Sequence, residues 1–111
     1  MIVVLFRSQL TELAGDEYVS TDERLFEKAR SAPGFVDVKS YTAADGERLT
    51  VVRWKDHETL RRWREDPEHR AAQENGRNHW YSWYEMEIAD VVRTSRFDRG
   101  GIPVRAEGGV E

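Results

Sequence analysis

The residues best equipped for chemistry lie close together, in PEHRAAQENGRNHWYSWYEME, Pro67 to Glu87. At helical spacing this stretch collects His69, Ala72, Gln73, Gly76, Trp80 and Trp83 on one face. A helix docking on a core normally does so through an aliphatic stripe at i, i+3, i+4 and i+7. The helical part here has no Leu, Ile or Val. His69 can exchange a proton near neutral pH, and Gln73 can orient a ligand by hydrogen bonding. The indoles offer flat apolar walls, while Ala72 and Gly76 leave volume beside them. Together these describe a cavity wall suited to a planar aromatic ligand. The competing interpretation is a polar core seam packed on Trp54 and Trp63, with His69 bonded to backbone.

Metal chemistry finds less support. His57 follows a helix N-cap and belongs on the surface, and His79 lies roughly 80° out of phase with His69. No His-x-x-x-His pair or carboxylate cluster has ligand spacing. Arg61, Arg62, Arg64, Glu65 and Arg70 form a solvated face with i,i+4 pairs Arg61–Glu65 and Arg70–Glu74.

The elements that must position these residues follow from periodicity. IVVLFRSQ, Ile2 to Gln9, is β-branched and aromatic and reads as a strand. From Asp16, Tyr18, Leu25, Phe26 and Ala29 fall at helical spacing, with Ser20 and Glu23 forming a capping box, until Pro33-Gly34 stops the helix. The next strand alternates, with Phe35, Asp37, Lys39 and Tyr41 on one side and Val36, Val38 and Ser40 on the other. Asp45-Gly46 marks a hairpin turn into Leu49 to Trp54. Asp56 caps a second helix carrying Leu60 and Trp63, which restarts at Pro67 and terminates at Gly76 or runs on to about Tyr81. A last long strand, from Trp83 to about Phe97, sets Tyr84, Met86 and Ile88 against Trp83, Glu85, Glu87 and Ala89, with a bulge at Val91-Val92. The remainder, with four Gly and one Pro, reads as a tail or a partner-clasping arm.

This order is β-α-β-β-α-β: an α+β, ferredoxin-like fold with an antiparallel four-stranded sheet. Residues 1–97 form the domain and 98–111 the tail. One layer of helices covers one face of the sheet only, and the other face is also partly apolar. A homodimer packed sheet against sheet resolves this. At 111 residues, 39% hydrophobic and 34% charged, the chain has a limited core of its own.

A net charge of −4 argues against a nucleic-acid partner. The absence of cysteine removes disulfides, thiolate catalysis and zinc-thiolate sites. MIVVLFRSQL lacks the form of a signal peptide, and no segment reaches the ~20 apolar residues of a membrane span. The expectation is a soluble, cytoplasmic protein without membrane partners.

The chain resembles the antibiotic biosynthesis monooxygenase family of dimeric α+β barrels over almost all of residues 2–97. The pieces are EYVSTDERLFEKARSAPGFVDVKSY, DGERLTVVRWKDHETLRRW, EHRAAQENGR and YSWYEMEIADVVR. The resemblance implies a dimer with a buried pocket between sheet and helices, but no single reaction. The family includes cofactor-independent oxygenases of aromatic polyketides and quinols, haem-degrading monooxygenases, and members without assigned activity. In the haem-degrading branch a first-strand Asn, a helix-two Trp and a later His act together. Trp63 matches the Trp, but Gln73 stands at the His position, His69 lies one turn earlier, and Phe6 or Arg7 replaces the Asn.

The resulting expectation is a monooxygenase of a small phenol, quinol or polyketide-like substrate, without flavin or metal. His69 takes the proton, Gln73 or Arg77 stabilises charge, and Trp54, Trp63, Trp80, Tyr81 and Tyr84 supply wall and donors. The alternative is a non-catalytic ligand-binding or structural dimer, and haem binding or degradation stands third.

Overall fold

The computed structural model describes residues 1–100, and most of the expected tail lies outside them. The elements are β1 (Ile2–Leu10), α1 (Asp16–Arg30), β2 (Phe35–Thr42), β3 (Arg48–Trp54), α2 (His57–Arg64), α3 (Pro67–Asn75), a π-helical turn (Gly76–Trp80) and β4 (Tyr81–Asp90). The strands form one antiparallel sheet in the order β2-β3-β1-β4. The expected ferredoxin-like α+β order is present, with the second helix divided into α2 and α3.

That division follows from two caps. Asp56 Oδ1 accepts the backbone N–H of Thr59 at 2.9 Å, and Asp66 Oδ1 accepts those of Glu68 and His69 at 2.9 and 3.2 Å. Pro67 opens α3 where a helix needs no N–H donor. Lys28 of α1 reaches Asp66 at 2.9 Å and Glu68 at 3.3 Å, tying α1 to the start of α3.

Register assigns the two faces. Ile2, Val4, Phe6 and Ser8 of β1 stand opposite Trp54, Val52, Thr50 and Arg48 of β3, with Met86 and Tyr84 of β4 on the other side. This face lies under the helices, where Ile2, Val4, Trp54 and Leu60 form the buried core. The opposite face carries Val3, Leu5, Leu49 and Val51 at its centre, bordered by the ion pairs Arg7–Glu47 and Arg53–Asp37.

Several local expectations are corrected. An irregularity between Phe35 and Asp37 breaks the alternation of β2, so Phe35 joins Val38 under the helices instead of sharing a side with Asp37, Lys39 and Tyr41. Helix α1 begins at Asp16, which leaves Ser20 inside it, bonded to the carbonyl of Glu17 rather than capping. Strand β4 ends at Asp90, short of Phe97, and no helix or strand follows through Gly100. The bulge in the β1–β4 pair falls between Gln9 and Leu10 rather than at Val91-Val92. The hairpin turn is as read, with Gly46 at φ +91° and Glu47 N–H bonded to Asp45 Oδ1 at 2.9 Å. Gly34, at φ +84°, also lies where any Cβ would collide with Thr59 at the start of α2. Among the described residues no helix is long and apolar enough to cross a membrane.

Candidate functional site

Between the helices and the sheet lies a cavity of about 160 Å³. Its size compares with the roughly 150 Å³ of an engineered apolar cavity that takes up benzene.

Aromatic side chains organise the walls at two ends. At one end Phe35, Trp54, Trp63 and His69 follow one another. Phe35 meets Trp54 edge-on at 5.7 Å, Trp54 stacks on Trp63 at 6.0 Å, and Trp63 stacks on the His69 imidazole at 4.9 Å. At the other end Phe6 stacks on Tyr84 at 5.4 Å, Tyr84 meets Tyr81 at 5.7 Å, and Tyr18 lies edge-on to Tyr81 and Trp80.

His69 enters the cavity from the first turn of α3. Its Nδ1 is buried without a hydrogen-bond partner. Burial pushes its pKa below the usual histidine range, opposed by the carboxylate of Asp66 and reinforced by the Arg64 guanidinium. A neutral imidazole with an unused ring nitrogen beside an aromatic-lined space can accept a proton or a hydrogen bond from a ligand.

The expected residues divide as follows. His69, Gln73, Trp54, Trp63, Trp80, Tyr81 and Tyr84 all line the cavity, as does Ala72. Arg77 is exposed and does not line it. Its guanidinium reaches only the hydroxyl of Tyr84, at 3.5 Å. Trp83 lies beyond the helical turn on the opposite sheet face, where its Nε1 contacts Gln9 Oε1 at 3.4 Å. Gly76 leaves no free volume, because a Cβ there would come within 2.6 Å of the Tyr81 ring. Of the two residues at the family's Asn position, Phe6 lines the cavity. Arg7 lies on the other face with Glu47 and Glu85. Among the described residues no three His, Asp or Glu side chains converge as a metal site.

Sequence reasoning missed the polar end. Asp22 and Tyr18 of α1, Arg48 of β3 and Ser8 of β1 also line the cavity. Arg48 Nη1 donates to the Tyr18 hydroxyl at 2.6 Å. Burial raises the pKa values of Tyr18, Asp22 and Tyr81, with Arg48 opposing each shift. A signal was available, since Tyr18 and Asp22 are four residues apart on one helix face.

Known proteins share this fold and, in part, this sequence. A Bacillus subtilis protein of uncharacterized function, YqjZ, is 40% identical over 80 residues, covering 72% of this chain and 70% of that protein. The jasmonate monooxygenase ABM of Pyricularia oryzae is 26% identical over 98 residues, covering 86% of this chain but only 46% of the larger enzyme. Among solved structures, SnoaB from Streptomyces nogalater, a cofactor-independent oxygenase, superposes with a TM-score of 0.68 at 20% identity, covering 84% of this chain and 94% of that one. The family model for antibiotic biosynthesis monooxygenases matches residues 1–75, from β1 through α3. The chain is a member of the antibiotic biosynthesis monooxygenase family.

Proposed function

We propose that this protein is a homodimeric monooxygenase of small hydroxylated arenes that works without flavin or metal. The observation that carries the proposal is His69: a half-buried imidazole whose buried Nδ1 has no partner, stacked on Trp63 at the wall of a benzene-scale cavity. SnoaB, with the same fold, is a cofactor-independent oxygenase, and the Pyricularia relative is a monooxygenase. Both lend support at the level of chemistry class.

The cavity suits a phenol with an activated ring methylene. His69 takes a proton from the substrate, and the anion passes one electron to O₂. The resulting radical pair combines at carbon to give a hydroperoxide, which loses water to leave a carbonyl. One oxygen atom ends in the product, the other in water, and the CH₂ group supplies all four electrons. Trp63 and Trp54 hold the ring plane, Gln73 offers its amide to the developing oxyanion, and desolvation strengthens both interactions. Arg77 acts on this site only through Tyr84.

Oxygen-electrode assays with small phenols fused to a ring that carries an activated CH₂ group, such as hydroxyindanones, test the proposal. Uptake should match substrate consumed, and His69→Gln should lose about 10²- to 10⁴-fold in rate, the span of general acid–base catalysis. Tight arene binding without oxygen uptake would make the chain a ligand-binding dimer instead. A Soret band on adding haem, abolished by His69→Ala, would favour haem chemistry.

A further inference from the structure

The polar end of the cavity has no part in the chemistry at His69. Arg48 stands opposite Ser8 on the sheet, six residues along β3 from Trp54, which stands opposite Ile2 beside the Trp63–His69 stack. Tyr18 is 7% exposed, and Asp22 lies one helical turn beyond it on α1. A cation, a carboxylate and two phenols are thus gathered at one end of a largely apolar cavity, where Tyr18 is buried and Asp22, Arg48 and Tyr81 are half-buried.

We propose that Asp22 and Arg48 form a second, proton-accepting pole of the cavity, where a phenolic hydroxyl of the substrate passes its proton to Asp22 and is held as phenolate by Arg48 and Tyr18. This rests on the cavity taking hydroxylated arenes. It narrows the substrate class to arenes whose hydroxyl lies at the far end from the carbon that is oxidised.

The arrangement of donors supports it. Arg48 Nη1 donates to the Tyr18 oxygen, so the Tyr18 O–H proton is directed away from Arg48. Tyr18 and Tyr81 are held protonated by burial and act as donors, not as competing acids. In water, a carboxylate near pKa 3.9 and a phenol near 10 are mismatched by about 6 units. Burial, with a small addition from Glu23, raises Asp22 against the opposing pull of Arg48, and Arg48 beside the substrate lowers the phenol. Both changes narrow the gap. The transfer moves one proton from Ar–OH to the carboxylate, and the net charge beside Arg48 is unchanged. No ion has to enter or leave a desolvated site.

The test uses 4-nitrophenol, a single-ring probe whose phenolate absorbs in the visible, titrated with the full-length protein across pH. Bound to the wild type, it should ionise at lower pH than in buffer. Arg48→Met should restore the free value and weaken phenolate binding about tenfold or more, while His69→Gln should leave the shift intact. Asp22→Asn, lacking the competing carboxylate, should bind nitrophenolate at least as well yet lower kcat with little change in KM. If Arg48→Met does not fold by circular dichroism, Arg48→Lys carries the test through an intermediate shift. An Arg48→Met protein with wild-type probe ionisation, or Asp22→Asn with wild-type kcat, overturns the second pole while leaving the oxygenase reading standing. A shift that needs Arg48 in a protein that consumes no oxygen does the reverse. If the wild type binds no hydroxyarene, both fall.

Discussion

At the scale of single residues, His69 carries the sharpest consequence. In the unfolded chain it titrates near pH 6.5, whereas in the folded protein burial holds it lower. Between those two values the unfolded state binds more protons. Its share of stability is therefore complete above about pH 6.5 and declines as pH falls toward the folded pKa. Asp56 and Asp66, whose pKa values are lowered, chiefly by hydrogen bonds from Thr59 and from Lys28, lose their shares only below about pH 3.9. Asp22, raised by burial, acts with the opposite sign, so between about pH 7.5 and 5 the thermal melts of His69→Gln should lose less stability with falling pH than those of the wild type. An unchanged pH dependence in that variant would mean that the imidazole is not held neutral in the fold. His69 and Gln73 were legible because one short helix displays them together. Asp22, Tyr18 and Arg48 were not, because they meet only when α1 folds across β3. In isolation Arg48 looks like any hairpin arginine.

The elements show where periodicity misleads. Gly76 falls on the His69 face at helical spacing, and a glycine there suggests open volume. Its backbone is ordinary helix, φ −59° and ψ −48°, so the fold does not need its conformational freedom. It needs the missing side chain, because the Tyr81 ring occupies that space. The chain continues from α3 through a π-helical turn, which brings Trp80 to the cavity and starts β4 at Tyr81. Gly76→Ala should therefore cost about 1–3 kcal/mol by overpacking and push the Tyr81 ring toward the cavity. Chemical denaturation together with titration of an arene checks both effects. Full stability with unaltered binding would show that the turn adjusts freely. Asp45-Gly46 and Asp56 read correctly because turn and cap chemistry is local. The irregularity that moves Phe35 under the helices has no such marker, since it depends on how β2 pairs with β3.

At the scale of the molecule, the uncovered sheet face must be accounted for. Val3, Leu5, Leu49 and Val51 sit at its centre on the two inner strands, with Arg7–Glu47 and Arg53–Asp37 at the margins. An apolar patch with a charged rim is the usual composition of an interface between chains. A second copy supplies the same patch, and two-fold packing lets each sheet bury the other. Light scattering should then give twice the 13.0 kDa chain mass. Leu5→Asp would bury a carboxylate at the centre of that interface directly opposite Glu87, a penalty of about 3–5 kcal/mol that weakens association a hundredfold or more. The Leu5 side chain points away from the cavity, on the face opposite Val4 and Phe6. The monomeric variant should therefore keep its arene binding if each cavity is complete within one chain. Loss of binding along with dimerisation would place part of the site's support in the partner. A wild type that stays monomeric at micromolar concentration would leave this apolar face without a partner of its own kind.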